Sequence, residues 1–217
     1  MMWIHQIFGQ TVAGSHLTAI FTGSYILGCI CAGYYLVRWR TGQDIRETGS
    51  GNVGARNVGR LLGRPGFLAT LLVDFFKGTL AVWTTRYFTD DNRLAGMAML
   101  AVVVGHIWPI QLGFRGGKGV ATLLGAICVY DFNLALGFAA IFGGLFVFLR
   151  RTTMAGLIAI ACLPLAATFQ EPEPLRAGIV SILAGIIWFA HRRNLLEEFT
   201  LMTARRDIET KPDRTTK

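Results

Sequence analysis

The strongest constraint on this chain is the number of apolar runs long enough to enter a bilayer. A helix crossing the hydrocarbon core needs roughly 20 mostly apolar residues. Seven stretches approach that pattern: residues 16–37, 66–85, 94–108, 120–130, 134–149, 154–169 and 175–190. The fourth is short, and the second is interrupted by Asp74 and Lys77. Only 16% of the 217 residues are charged, against about 25% in a soluble domain. A disordered chain is rich in charge and poor in apolar residues, so the same composition excludes disorder. The expectation is an all-α, polytopic membrane helix bundle of about seven transmembrane helices. Residues 1–199 form one transmembrane domain and residues 200–217 a polar, basic tail.

The net charge of +8 suits either nucleic acid or an anionic membrane surface, and the positions of the charges decide between them. Seven spans alternate the loops between two sides. Seventeen of the 21 Lys and Arg residues fall on one side, Arg86, Arg93 and Arg176 fall on the other, and Lys77 is inside a span. Short loops rich in Lys and Arg stay in the cytoplasm. The charge therefore marks topology and headgroup contact, and no nucleic-acid partner is expected. The reading places the N-terminus outside and the tail inside. The first 15 residues carry no Lys, Arg, Asp or Glu, so no cleaved signal segment is expected. Trp3, Trp39, Trp108 and Trp188 read as interfacial anchors, and Asp131 as a solvated residue at an outer helix end. Cys29, Cys31, Cys128 and Cys162 lie in apolar runs without a second pair at zinc spacing, so they read as free thiols.

Irregular, glycine-rich backbone near membrane depth is tolerated only around a cavity or inside protein. Two such segments occur on the basic side, residues 44–60 and 105–119, and a third polar feature, His191 to Asn194, follows the last span. The first holds G-x-G-x-x-G at Gly49, Gly51 and Gly54, but no strand precedes it, so a dinucleotide fingerprint is excluded. What remains is exposed backbone N–H groups, donors from Ser50 and Asn52, and charge from Arg46, Arg56 and Arg60, a combination suited to phosphate oxygens. The second ends Gly116-Gly-Lys-Gly119. Gly119 stands where a Walker loop needs Ser or Thr, but Lys118 and the N–H groups at a helix start still suit an anion. For each segment alone, a glycine-rich turn with solvated cations is the bland alternative. Two on one face make it weaker. No G-x-S-x-G elbow, no His followed five places on by Asp, and no metal-ligand cluster is present in the sequence, so neither a metal nor a cofactor is expected.

Together these motifs resemble a known family. Arg46-x-x-Gly-Ser-Gly-Asn-x-Gly-Ala55, Val73-Asp-Phe-Phe-Lys-Gly78, Gly105-His-x-x-Pro109, Gly116-Gly-Lys-Gly-Val-Ala-Thr122 and His191-x-x-Asn194 follow in order across residues 26–195. They resemble the bacterial acyl-phosphate:glycerol-3-phosphate acyltransferases, membrane-integral enzymes of phospholipid biosynthesis. The resemblance implies transfer of an acyl group from acyl phosphate to the 1-hydroxyl of glycerol-3-phosphate, giving lysophosphatidic acid and phosphate. It implies a site open to the cytoplasm, in the inner membrane. It gives catalytic roles to Ser50, Arg60, Lys118, His191 and Asn194, and phosphate binding to Gly51, Asn52, Gly54, Asn57, Gly116 and Gly117. Arg46, Asp74, Lys77 and His106 stand behind them. A substrate phosphate accepts the proton in that mechanism, so no protein dyad is needed.

Several points stay open on the residues. Asp74 and Lys77 share a helix face and read equally as site support or as a structural pair, and His106 as a packing group or a substrate contact. Arg56 stands where the family usually has Thr, and either clamps a phosphate or fills the pocket. Arg193 replaces the family's usual Glu. Oligomeric state is not legible. Two rival functions remain: a catalytically inactive homologue kept for binding, or an organic-phosphate transporter.

Overall fold

The structure is a computed structural model that describes residues 14–170, 172–193 and 195–196. Trp3, Asn194 and the basic tail from residue 200 onward lie outside the described residues. Among the described residues every regular element is helical: α1 (Gly14–Cys29), α2 (Ala32–Thr41), α3 (Ala55–Phe88), α4 (Asn92–Ile107), α5 (Val120–Tyr130), α6 (Phe132–Leu149), α7 (Thr152–Gln170) and α8 (Pro174–Ala190). Helices α1 and α2 together make up the first apolar segment, so seven apolar helical segments result among the described residues, matching the number of apolar runs.

Five segments are long and apolar enough to cross a membrane, whereas α5 and α8 are apolar but shorter. With 11 residues, α5 rises about 16 Å against a hydrocarbon core of roughly 30 Å. The second glycine-rich loop precedes it.

Two sequence expectations are revised by the backbone. The first span is continuous in the hydropathy pattern, but it breaks at Ile30 and Cys31. A break at this depth strands carbonyls, and the Lys77 ammonium repairs one by donating to the Ile30 oxygen at 2.7 Å. The second span begins earlier than the apolar run. Helix α3 starts at Ala55, is interrupted at Gly63 (φ 71°, ψ −166°), and resumes with Pro65 in its first turn. Only glycine adopts that backbone readily. The interruption lets a short basic helix turn away from the bundle axis and carries Arg56, Asn57 and Arg60 toward the loops.

Close helix contact comes from reciprocal glycines. A Cβ on Gly28 would meet the Val102 carbonyl and one on Gly105 the Tyr25 carbonyl, joining α1 to α4. Gly78 against Thr122 and Gly125 against Phe75 join α3 to α5 in the same way. Small residues permit such backbone approach in lipid, where apolar burial gives little drive to associate. Helix α4 lies innermost, with Leu94, Ala95, Ala98, Met99, Ala101, Val102 and Val103 all buried.

At the end remote from the glycine-rich loops the polar groups are tied together. Asp131 caps α6 by accepting from the Leu134 N–H at 3.1 Å and pairs with Arg176. It is therefore part of a half-buried ion pair rather than solvated. Arg86 donates to the Tyr130 carbonyl at 2.6 Å, and Arg93 faces Glu173 at 3.9 Å. Of the tryptophans, Trp39 is exposed beside Arg40 as an anchor would be. Trp108 and Trp188 instead pack on the core, and the Trp188 indole donates to the Leu157 carbonyl at 2.9 Å.

Candidate active site

Two glycine-rich loops, the start of α7 and the end of α8, all separated in sequence, meet around one cavity of about 370 Å³. The first is built by local hydrogen bonding. Gly42 (φ 71°) ends α2 in the left-handed conformation, and Asp44 caps the next turn by accepting from the Arg46 N–H at 2.9 Å. The Arg46 guanidinium grips the same carboxylate at 2.6 Å, donates to the Leu112 carbonyl at 2.8 Å, and lies 5.0 Å over the Tyr34 ring. That carboxylate is held down to about 2 by the Arg46 side chain. Arg46 thus fastens the first loop to the second, and it is not among the residues lining the cavity.

Asn57 is the hub of the first loop. Its Oδ1 accepts from the Ser50 N–H at 3.1 Å, and its Nδ2 donates to the Thr48 and Asn52 carbonyls at 2.9 and 3.0 Å. Gly49 (φ 56°) crosses directly over that amide, where a Cβ would meet Oδ1. These bonds hold Ser50, Asn52 and Gly54 on the cavity wall. Asn57 is 4% exposed, so it shapes the cradle with its amide already engaged. Gly51 (φ 68°) supplies the turn and is not among the lining residues.

The second loop is arranged differently from the sequence expectation. The N–H groups of Gly116 and Gly117 donate to the Ile107 and His106 carbonyls at 3.1 and 3.0 Å, so they are committed to the fold and do not face an anion. Gly117 is small because a Cβ there would strike the His106 ring. The loop thereby places Lys118 and Gly119 on the cavity wall.

Beneath both loops lies a buried ionic cluster. Lys77 Nζ is 2.9 Å from Asp74 Oδ1 and 2.6 Å from His106 Nδ1. Lys77 also donates to the Ile30 carbonyl, so two of its ammonium protons are directed at His106 and Ile30 while Asp74 balances the charge. An ammonium can only donate, so His106 Nδ1 accepts and its proton is on Nε2, the atom covered by Gly117. Asp74 Oδ1 has the charge beside it but no well-directed hydrogen bond. Asp74 and His106 also line the deep end of the cavity. The cluster braces the helix break and the second loop simultaneously.

His191 closes the cavity from the end of α8. Its Nδ1 lies 2.8 Å from the Ile187 carbonyl, a contact that requires the proton on Nδ1 and leaves Nε2 as an acceptor. Burial pushes its pKa down, and Lys118 and Arg56 nearby lower it further against the opposing pull of the Ile187 carbonyl. Arg56 and Arg60 reach the same wall from α3. The Arg56 Nη1 donates to Thr153 Oγ1 at 2.8 Å, and both residues line the cavity.

Sequence reasoning found the polar half of the cavity and missed the other half. Phe67, Leu71, Leu124, Phe138, Phe142 and Leu157 form an apolar wall. Phe138, Phe142 and Phe146 stack in sequence along α6 with centroids 5.8 and 5.9 Å apart. Their spacing of four was the available signal, but aromatic residues on a membrane helix look alike whether they face lipid, core or substrate.

Comparison with known proteins decides the family. A family model described as glycerol-3-phosphate acyltransferase matches residues 18–200. The chain belongs to this family. Its relatives include glycerol-3-phosphate acyltransferase 1 of Desulfitobacterium hafniense, 44% identical over 85% of this chain and 91% of that protein. The glycerol-3-phosphate acyltransferase of Geobacter sulfurreducens is 41% identical over 82% of this chain and 90% of its own length. The fold is also similar to the crystal structure of PlsY, described as an integral membrane glycerol 3-phosphate acyltransferase, in its glycerol 3-phosphate form. That match has TM-score 0.78 and 30% identity, covering 85% of this chain and 92% of the other. The lysophosphatidic acid form of PlsY matches with TM-score 0.75 and 28% identity over the same shares. This glycerol-3-phosphate acyltransferase family member is thus a multi-pass membrane enzyme, which removes the transporter reading.

Proposed function

We propose that this acyltransferase moves an acyl group from acyl phosphate to the 1-hydroxyl of glycerol-3-phosphate, releasing lysophosphatidic acid and inorganic phosphate. The observation that carries the reading is the mixed lining of one cavity. Ser50, Asn52, Arg60, Lys118 and His191 give it polar and cationic groups, while Phe67, Leu71, Leu124, Phe138, Phe142 and Leu157 give it apolar surface. A reaction between a polar phosphate ester and an aliphatic donor needs both kinds of surface in one cavity.

The residues divide the work as follows. Lys118 and Arg60 hold phosphate oxygens, aided by Ser50 and Asn52 in the cradle that Asn57 organises, with Gly51 and Gly54 forming its turns. His191 stays neutral and offers Nε2 to a glycerol hydroxyl. Asn194, three residues further on, keeps in this reading the catalytic role that the resemblance gives it. Positioning the hydroxyl against the acyl carbonyl accounts for most of the acceleration. The oxygen attacks, the carbonyl carbon–phosphate oxygen bond breaks, and the hydroxyl proton passes to a phosphate oxygen. Acyl phosphate is an activated mixed anhydride, so the protein needs only to stabilise developing negative charge. Asp74, Lys77 and His106 hold the cradle from beneath, and Arg46, Gly116 and Gly117 hold its two loops together.

The cavity-bearing side faces the cytoplasm of a bacterial inner membrane in this reading, because the basic residues gather there. The test is lysophosphatidic acid formation by the purified protein given glycerol-3-phosphate with acyl phosphate, and with acyl-CoA in parallel. Product from acyl phosphate alone supports the reading. Product from acyl-CoA alone overturns the donor, and no product from either favours a homologue that binds without turnover.

A further inference from the structure

Arg56 occupies a position that distinguishes the two substrates. It lies in the first turn of α3, and its Nη1 donates to Thr153 Oγ1, 97 residues away, at 2.8 Å. Thr153 is in the first turn of α7, and Gly156 and Leu157 follow it by three and four residues. On a helix those positions share a face, and all three line the cavity. The Phe142 ring lies over Gly156, where a Cβ would touch it at 3.9 Å. The α7 face therefore runs from the apolar wall directly to the Arg56 guanidinium. Arg56 also contributes to the depression of the His191 pKa, as Lys118 does, so it belongs to the same group of cations.

Of the two substrates, only the donor has an aliphatic tail. A tail laid along Gly156 and Leu157 against Phe142 brings its head group to Thr153 and Arg56. We propose that Arg56 is the donor-side phosphate clamp: it binds the phosphate of the acyl phosphate and keeps hold of it as the leaving group. This rests on the acyl-phosphate reading above. In the transfer, the acceptor's 1-hydroxyl oxygen bonds to the carbonyl carbon. The carbon–oxygen bond to phosphate breaks, its electron pair stays on the phosphate oxygen, and the hydroxyl proton goes to the phosphate. Charge on the departing group rises as that bond breaks, so a guanidinium there binds the transition state more tightly than the donor. Thr153 pre-sets the guanidinium while leaving its other edge to form paired hydrogen bonds with a phosphate.

The experiment compares wild type, Arg56→Gln, Arg56→Lys and Thr153→Val in nanodiscs. It measures KM for each substrate, inhibition by inorganic phosphate, and binding of palmitoylphosphonate, which cannot transfer its acyl group to an alcohol by losing phosphate. Arg56→Gln raises KM for acyl phosphate and Kd for the phosphonate about tenfold, as expected for losing a charge-assisted pair. Inhibition by inorganic phosphate weakens by a similar factor, and KM for glycerol-3-phosphate stays constant. Arg56→Lys recovers part of the loss because it keeps charge without the planar fork, and Thr153→Val gives a smaller shift in the same constants. A rise in KM for glycerol-3-phosphate instead, an equal rise for both substrates, or no change in either overturns the assignment. The phosphonate separates this inference from the activity itself. If wild type transfers nothing but Arg56→Gln still weakens phosphonate binding, the clamp stands and the activity falls. Equal phosphonate binding in both proteins removes the clamp whatever the activity.

Discussion

Replacing Lys77 with methionine removes one charge from the most tightly buried ionic cluster in the protein. The Lys77 and Asp74 side chains are 3% and 4% exposed, so solvent replaces little of the missing partner. Methionine keeps most of the side-chain volume, which confines the loss to electrostatics and hydrogen bonding. Three contacts disappear: the ion pair with Asp74, the bond to His106 Nδ1, and the bond to the Ile30 carbonyl at the break in the first span. Breaking a buried pair by removing one member costs about 3–5 kcal/mol, chiefly because the remaining charge is uncompensated. An orphaned carbonyl alone costs about 1–3 kcal/mol. Uptake of a proton by Asp74 offsets part of the sum, so the expected loss for Lys77→Met is about 3–5 kcal/mol. That is a large share of a typical folding free energy of about 5–15 kcal/mol.

The pair can be separated from its surroundings by also replacing Asp74. The double variant Asp74→Asn/Lys77→Met leaves no unpaired charge and loses about 1–2 kcal/mol, so the second substitution restores stability. Reversible unfolding in bicelles, followed by steric trapping, measures all four corners of this cycle. Lys77→Met within 1 kcal/mol of wild type, or a double variant less stable than the single one, would refute the claim that the cluster holds the fold electrostatically.

Three further outcomes follow from the site. Ser50→Ala and Lys118→Ala each reduce transfer at least about a hundredfold, the scale of losing one charge-stabilising donor, with the melting temperature little changed; full activity in both removes the proposed cradle. Lys118→Gln raises the His191 pKa, because a like charge that lowers it has gone, and nitrogen-15 NMR of labelled histidine reads the shift; a fall would place Lys118 elsewhere. Asp44→Asn destabilises the protein most above the free carboxyl value of 3.8, and the difference from wild type closes as pH falls through about 2. The sign follows from a folded-state pKa below the unfolded one, and melting curves against pH would contradict it if the gap widened in acid.

How far the sequence could be read depended on the physical scale of each feature. The crossings were legible because the bilayer imposes a length and a hydropathy on every helix, and the polar loops because glycine and cations are rare beside lipid. The break at Ile30 was not, since an ammonium 47 residues away in sequence satisfies the carbonyl there. Gly116 and Gly117 looked like anion donors because sequence shows that N–H groups exist without showing what they bond to. Arg46 looked like a phosphate ligand for the same reason, although Asp44 and Leu112 already occupy its guanidinium. Asp131 reads as solvated until the fold brings Arg176 to it. The apolar wall of the cavity was hidden in plain composition, as Phe138, Phe142 and Leu157 share their chemistry with the other apolar residues of the membrane helices.

The central claim is that the donor's tail and the phosphates occupy the same cavity, with the tail between α6 and α7. Gly156→Leu tests it most directly, because the added side chain projects toward Phe142 on the cavity wall. The measurement is lysophosphatidic acid formation across a ladder of acyl-phosphate chain lengths, in wild type and in this variant. The account predicts that the variant loses long-chain donors by about tenfold or more, retains short-chain donors, and keeps its KM for glycerol-3-phosphate. An unchanged chain-length profile, or a uniform loss at every length, would contradict it.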